Sequence, residues 1–128
     1  WQACGAEVSL MPADEHDKIL AATSHLPHIL AFTMMNHLNH STDQLGNLLR
    51  FAGSGLRDFT RIAGSSPEMW RDICLANREA LLSQMDAYQK ELHALQVMLK
   101  SNDGAALEKA FSQARNAREN WLNSKNPI

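Results

Sequence analysis

The chain has 128 residues, 45% of them hydrophobic and 20% charged, a composition typical of one globular domain that excludes a disordered polypeptide. Twelve basic and 14 acidic residues give a formal net charge of −2, so charge gives no reason to expect nucleic acid or an anionic membrane as a partner. No apolar stretch reaches the roughly 18 residues of a transmembrane helix. Cys4 and Cys74 are too few for a disulfide framework, so we expect free thiols and a reducing, cytoplasmic location.

Residues 1–12 differ in pattern from the rest of the chain. Val8 and Leu10 alternate with polar neighbours between a glycine and a proline, which predicts one short strand. An isolated strand is not stable, so its partners are expected in sequence outside this chain. We therefore predict that residues 1–12 are the end of another domain with a linker, and that residues 13–128 form a helical domain.

The first helix is predicted over residues 13–40, with acidic side chains in its first turn, where the helix dipole favours them. Pro27 lies inside this helix. Because proline has no backbone N–H and clashes with the preceding turn, we expect a kink near Thr23 and Ser24.

Two shorter helices are predicted next. Ser41 and Gln44 have the spacing of a capping box, which predicts a second helix that ends at Gly53. A short helix over residues 56–63 should follow the glycine corner and end at the next glycine.

The longest predicted helix begins after Ser66, a capping residue followed by proline, and continues over residues 67–100. A last helix is predicted over 104–122, forming a C-terminal helical hairpin with the long one. Apolar residues recur along the long helix at spacings of three and four, and we call them the seam: Met85, Tyr88, Leu92, Leu95 and Leu99. Such a seam predicts packing against a second copy, so the fold class is all-α and the state a homodimer.

Four histidines form two pairs at i, i+3 spacing, His25 with His28 and His37 with His40. Imidazoles one helical turn apart can share a metal ion. A metal site in a helical bundle needs further Glu-x-x-His ligands, and this chain has none. We therefore expect no metal and interpret His37 and His40 as solvent-facing residues near a helix end.

Ser24 and His28 both lie beside the predicted kink. A hydroxyl and an imidazole next to freed backbone carbonyls could form a polar pocket, and the alternative is a structural histidine with satisfied hydrogen bonds. A Ser–His hydrolase is poorly supported, because the sequence lacks a nucleophile-elbow pattern and an orienting acid.

A second cluster follows in two parts, which are Arg57, Asp58, Thr60 and Arg61, and then Trp70, Arg71 and Asp72. An arginine on a short helix after a glycine corner could hold a carboxylate through two parallel hydrogen bonds. The alternative is ordinary surface ion pairing, Asp58 with Arg61 and Arg71 beside Asp72.

Two segments resemble the C-terminal helical domain of prephenate dehydrogenases, a family that includes arogenate and cyclohexadienyl dehydrogenases of tyrosine biosynthesis. They are HDKILAATSHLPHILA (16–31) and GLRDFTRIAGSSPEMWRDICLANREAL (55–81). The resemblance covers essentially the whole chain, although residues 80–128 match only as a helical hairpin. It implies a dimerisation domain whose Rossmann-type partner domain, which binds NAD or NADP, lies outside this sequence. The Gly53–Gly55 turn is not a dinucleotide fingerprint, because it is predicted to lie between helices.

The resemblance implies a substrate site in this chain. Arg61 matches the family arginine that holds a substrate carboxylate. His28 and Ser24 match polar residues that face the substrate and the nicotinamide of the cofactor.

Further positions follow from the same resemblance. Asp58 and Ser54 match loop positions near the pocket, across a dimer interface, and Trp70 matches an aromatic residue of the pocket wall. His16 and Asp17 match a family pair that we interpret as structural support.

In the family, prephenate is oxidised and decarboxylated to 4-hydroxyphenylpyruvate, and the catalytic histidine belongs to the other domain. We therefore expect the isolated fragment to be inactive. The alternative from another functional class is a non-catalytic helical oligomerisation module. The sequence leaves open NAD or NADP, prephenate or arogenate, and feedback inhibition by tyrosine.

Overall fold

The computed structural model describes residues 1–45 and 48–125. Regular structure in these residues is helical throughout, which confirms the predicted all-α fold class. Six α-helices are found there: α1 (Ala13–Leu20), α2 (Leu26–Leu45), α3 (Ser54–Thr60), α4 (Pro67–Ala76), α5 (Arg78–Lys100) and α6 (Gly104–Lys125).

The predicted N-terminal strand is wrong. The chain begins with a short 3₁₀ turn over Gln2–Cys4, and residues 6–12 form neither helix nor strand. Val8 and Leu10 are 44% and 96% exposed. Among the described residues this segment has no neighbouring strand, so its backbone groups cannot form a ladder.

The predicted kink near Thr23 and Ser24 falls on an interruption of the regular α-helix. Between α1 and α2 the backbone forms a π-helical segment over Ala21–His25, in which the Leu26 N–H donates to the Ala21 carbonyl five residues earlier. It ends two residues before Pro27, which has no N–H to donate. Such single wide turns occur frequently at functional sites.

The predicted helix start at Ser41 is wrong, because α2 continues to Leu45. The Ser41 hydroxyl donates to the His37 carbonyl at 2.9 Å, one turn earlier, and so supports the interior of a helix. The Gln44 side chain lies outside the described residues. The predicted second helix is replaced, where the structure describes it, by a 3₁₀ turn over Leu48–Phe51.

The start of α4 is confirmed. The Ser66 side chain accepts a hydrogen bond from the Met69 N–H at 3.2 Å, and Pro67 occupies the first helical position. The Ser66 hydroxyl also donates to Glu68 at 2.9 Å. The cap therefore fixes the helix that carries Trp70.

The prediction of one unbroken helix over 67–100 is wrong at Asn77. This residue has φ −109° and ψ 34°, which ends α4 before α5 begins at Arg78. Hydrogen bonds nevertheless continue on both sides, from the Asn77 N–H to Ile73 and from the Leu81 N–H to Asn77, each 3.1 Å long. The interruption is therefore one residue wide.

The turn between α5 and α6 is where the sequence predicts it. Asn102 has φ 54°, and the Asp103 N–H donates to the Met98 carbonyl at 3.0 Å, which closes α5 with a left-handed cap. The Asp103 carboxylate then accepts from the Ala106 N–H at 2.9 Å and caps α6.

The chain divides into two compact units, Trp1–Met85 and Asp86–Ile128. In the first unit α2 packs against α3 and against the 3₁₀ turn Arg61–Gly64. The buried apolar residues of the described chain all belong to this unit: Ala21, Ala31, Trp70 and Leu81. Each helix in the described residues is too short or too polar to span a lipid bilayer.

Candidate functional site

The centre of the candidate site is an aromatic stack between two helices. The His28 imidazole on α2 lies against the Trp70 indole on α4, with ring centroids 3.7 Å apart and planes inclined by 22°. Trp70 is 8% exposed, whereas His28 is half-buried. The indole therefore supports one face of an imidazole that solvent or a ligand can still reach.

The hydrogen bond of His28 determines which ring nitrogen is available. His28 Nδ1 lies 2.9 Å from the Ser24 carbonyl oxygen. A carbonyl can only accept, so Nδ1 carries a proton in both the neutral and the charged ring. In the neutral ring, Nε2 is consequently the atom that can accept a hydrogen bond from a ligand. The predicted pairing of Ser24 with His28 thus occurs through the Ser24 backbone.

His25 differs from His28, because its ring is buried and its Nδ1 faces a donor. It was not among the predicted site residues. Its ring is buried beside Trp70, with centroids 6.0 Å apart and planes at 78°. Its Nδ1 lies 3.2 Å from the Asn77 side-chain nitrogen, which also donates to the Asp17 carbonyl at 2.7 Å. Burial lowers the pKa of His25 below its usual 6.5, and the Asp17 carboxylate opposes part of this effect.

Neither Asn77 nor His25 carries a pattern in the sequence that indicates this contact. The two residues are 52 positions apart, and asparagine in a helix is only mildly unfavourable. In the sequence, both residues are marked only by lying within the two segments that resemble the family.

The other three predicted site residues lie outside the stack. Ser54 and Asp58 are on α3, and Arg61 begins the following 3₁₀ turn; all three are exposed. Their segments pack against α2, the helix that carries His28. In the ranges 1–45 and 48–125, these three side chains make no hydrogen bond or ion pair with the stack.

The surface-pairing alternative holds for one arginine and fails for another. Arg71 Nε lies 2.8 Å from the Asp72 carboxylate, and both side chains are exposed. Asp58 and Arg61 form no such pair, and within the described part of the chain the Arg61 guanidinium has no ionic partner. Arg61 is therefore a cation that remains available to bind an anion.

Two features of Trp70 concern possible ligands. Its indole N–H is buried and has no acceptor among the described residues. Trp70 also lines a groove of about 290 Å³ between α2 and α4, together with Phe32, Asn36 and Cys74. Burial raises the pKa of the Cys74 thiol, and both Cys4 and Cys74 are free, as expected.

The described residues offer no metal centre, since no three histidine, cysteine or acidic side chains converge in them. They do not fit a dinucleotide-binding turn either. Gly53 precedes the seven-residue helix α3 and follows a 3₁₀ turn, whereas a dinucleotide fingerprint connects a strand to a helix.

The His16–Asp17 pair predicted to support the structure is formed, with Nδ1 and Oδ1 3.1 Å apart on the exposed side of α1. The Asp17 backbone contributes separately, because its carbonyl accepts from Asn77. The pair therefore adjoins the His25 network without belonging to the stack.

Comparison with known proteins decides the family. Residues 12–113 match the family model described as the dimerization domain of prephenate dehydrogenase. The chain belongs to this family. The resemblance found in the sequence is thereby confirmed, and the all-α fold is that of a prephenate dehydrogenase dimerization domain.

Individual relatives agree with this assignment. The chain is 35% identical to the cyclohexadienyl dehydrogenase of Zymomonas mobilis over 119 residues, covering 92% of this chain and 41% of the relative. It is 37% identical to the prephenate dehydrogenase of Bacillus subtilis over 109 residues, covering 85% of this chain and 29% of the relative. The chain thus spans less than half the length of these prephenate dehydrogenase family members.

A solved structure shows the same fold. The prephenate dehydrogenase of A. aeolicus, crystallised with hydroxyphenyl propionate and NAD⁺, superimposes with a TM-score of 0.87 at 32% identity. The match covers 94% of this chain and 42% of that one. The arogenate dehydrogenase of Synechocystis, at 24% identity and a TM-score of 0.82, shares the fold.

Proposed function

We propose that this chain is the substrate-binding and dimerisation domain of a cytoplasmic, NAD- or NADP-dependent prephenate or arogenate dehydrogenase. Its family membership supports the class of reaction, and the relatives it matches are longer dehydrogenases. The two free thiols are compatible with a reducing compartment. The dinucleotide belongs to a domain outside this sequence, so we expect the isolated chain to be inactive.

The proposed reaction is an oxidative decarboxylation. The ring carbon that bears the hydroxyl loses a hydride, its hydroxyl loses a proton as the C=O bond forms, and the ring carboxylate leaves as carbon dioxide. The electron pair of the broken bond to the carboxylate enters the ring, which becomes aromatic, and the carbonyl oxygen becomes a phenolate. This phenolate takes up a proton to give the phenol, and the dinucleotide, when bound, is the hydride acceptor. This chain has to hold a dianionic or zwitterionic substrate in position for that transfer.

The observation that carries the proposal is the fixed imidazole of His28. Its Nδ1 is engaged by the Ser24 carbonyl, and its face is covered by Trp70. The His28 ring is therefore held by its Nδ1 hydrogen bond and by the Trp70 indole before a ligand arrives, and Nε2 remains available to bind the ligand. A pre-oriented polar atom beside an apolar surface is suited to a small polar ring substrate.

Arg61 supplies the second element of the proposed site. A substrate carboxylate requires a cation, and a guanidinium binds a carboxylate through two parallel hydrogen bonds. Arg61 has no ionic partner among the described residues, whereas Arg71 is paired with Asp72. We assign Ser54 and Asp58, on the neighbouring helix α3, to the rim of this site.

A homodimer is the second part of the proposal. Three seam residues, Tyr88, Leu92 and Leu99, are 41%, 49% and 65% exposed. A second copy that covers the seam would remove this apolar surface from water.

The proposal is tested in the full-length enzyme by comparing Arg61→Ala with Arg57→Ala and Arg71→Ala. Loss of a charge-assisted hydrogen bond should lower kcat/KM for prephenate or arogenate by about tenfold to hundredfold. The KM for the dinucleotide should stay within about twofold of wild type, and both control variants should behave like wild type. Equal behaviour of all three arginine variants would refute the carboxylate role, and a wild-type enzyme that oxidises neither substrate would refute the function.

A further inference from the structure

The interruption between α4 and α5 carries a polar network that the proposed chemistry does not use directly. Asn77 is 9% exposed, and its side-chain nitrogen donates to the Asp17 carbonyl at 2.7 Å. Because that carbonyl can only accept, it fixes which end of the amide is the NH₂ group. The second N–H of the same group is then available to His25 Nδ1, 3.2 Å away.

This geometry determines the state of the His25 ring. An amide nitrogen cannot accept, so Nδ1 of His25 must be the acceptor and its proton must lie on Nε2. A charged ring would place an N–H at Nδ1 against another N–H, which is unfavourable in a buried site. His25 and His28, three residues apart, are thus held in opposite tautomers.

The ring fixed by Asn77 adjoins the proposed substrate site. His25 packs at a steep angle against Trp70, and Trp70 stacks on His28. A His25 ring that rotated or became charged would change the surface on which the indole rests. The backbone around Asn77 does not depend on the side chain, because its hydrogen bonds continue on both sides.

We propose that Asn77 is a positioning residue whose side-chain amide fixes the tautomer of His25 and, through it, the Trp70–His28 stack. Among the described residues, the Asn77 side chain hydrogen-bonds to the Asp17 carbonyl and to His25, and neither residue belongs to the proposed substrate site. The structural half of this inference is independent of the reaction. The half that concerns substrate binding rests on the proposed function.

The structural test uses Asn77→Asp, which keeps the shape of the side chain and removes both donated hydrogen bonds. Histidine ¹⁵N NMR of the 128-residue chain should show a proton on Nε2 of His25 and on Nδ1 of His28. In Asn77→Asp the His25 pattern should change, and the upfield ring-current shift of the His28 protons should decrease. Asn116→Asp, the same exchange at an exposed position on α6, should change neither signal.

Asn77→Ala serves as a second variant for the same NMR measurement if the buried carboxylate of Asn77→Asp prevents folding. A His25 ring with its proton on Nδ1 in the wild type would overturn the inference. Unchanged His25 and His28 signals in a folded Asn77 variant would overturn it equally.

The kinetic test uses the full-length enzyme. Asn77→Ala should raise the KM for the substrate about tenfold, with kcat and the KM for the dinucleotide within about twofold of wild type. Kinetics identical to those of Asn116→Ala would overturn the effect on binding and leave the proposed function intact. Failure of the proposed function would appear earlier, as a wild-type enzyme without activity, and the NMR result would still decide the role of Asn77.

Discussion

The two units of the chain use their side chains in different ways. Trp1–Met85 buries the polar residues His25 and Asn77, joins them by a hydrogen bond, and packs the His25 ring against Trp70. In the described residues of Asp86–Ile128 no side chain is buried, and apolar residues such as Phe111 are more than half exposed. Specific polar geometry is thus found in the first unit, whereas the apolar side chains described in the second unit all remain at least partly exposed.

This difference indicates how substitutions in each unit should affect the protein. A buried polar group without its partner is costly, so the first unit should respond to the loss of individual hydrogen bonds. Exposed apolar residues respond chiefly to what covers them. Substitutions in the second unit should therefore act on the state of assembly.

The largest effect is expected from Leu92→Arg in the seam. A charge placed without a partner in an apolar interface should raise the dimer dissociation constant roughly hundredfold or more. Sedimentation equilibrium over a concentration series measures this constant. Glu91→Gln, next to the seam on the same helix, should leave it unchanged, and a Leu92→Arg protein that remains equally dimeric would show that the seam is not the interface.

A large effect on folding is expected from Trp70→Ala in the first unit. Removal of a buried indole should lower the free energy of unfolding by about 3–5 kcal/mol. Trp1→Ala, at a position 90% exposed, should change it by less than about 0.5 kcal/mol. Urea unfolding at one fixed protein concentration compares the two, and similar losses would mean that Trp70 is not part of the core.

A smaller effect is expected from removing the side-chain cap of one helix in each unit. Ser66→Ala and Asp103→Ala should each cost about 1 kcal/mol, since each removes one cap of a helix start. Only Ser66→Ala should shift the NMR resonance of the Trp70 indole N–H, because α4 carries that residue. An equal shift in Asp103→Ala would contradict the separation of the two units.

The effect of pH tests the buried histidine. Burial lowers the pKa of His25 in the folded state, so the unfolded chain binds its proton more readily. The free energy of unfolding should therefore fall as the pH decreases through 6.5 and level off below the folded pKa. Asp17, His16 and His28 also act on this ring, the first favouring its charged form and the two histidines opposing it.

Urea unfolding at a series of pH values measures this dependence. His25→Ala should reduce the slope in this range, and His93→Ala, at an exposed position on α5, should retain it. A slope that His25→Ala leaves unchanged would assign the pH dependence to other groups.

Local signals in the sequence predicted the local features of the fold. The Ser66 cap and the Asn102 turn each depend on a few neighbouring residues, and both are confirmed. The kink predicted before Pro27 falls on the π-helical segment. The prediction at Ser41 was wrong because a serine hydroxyl can either cap a helix start or donate to a carbonyl one turn earlier. Here the helix continues past Ser41, and the hydroxyl donates to the earlier carbonyl.

The features that the sequence could not predict depend on distant contacts. The interruption at Asn77 accompanies bonds to residues 52 and 60 positions away, and no short-range pattern encodes them. The stack of His28 on Trp70 is likewise a contact between two helices that are distant in the sequence. The resemblance to the family indicated both residues of the stack, but their contact required the fold.

The π-helical segment Ala21–His25 acts as a shift of helical phase. A wide turn holds one residue more than an α-helical turn, and each α-helical residue advances the direction of the side chain by about 100°. Deleting one residue from this segment would restore a regular helix and turn α1 by that angle relative to α2. The Asp17 carbonyl would then lose its position beside the Asn77 side chain, so the surplus residue is what allows both helices to serve one network.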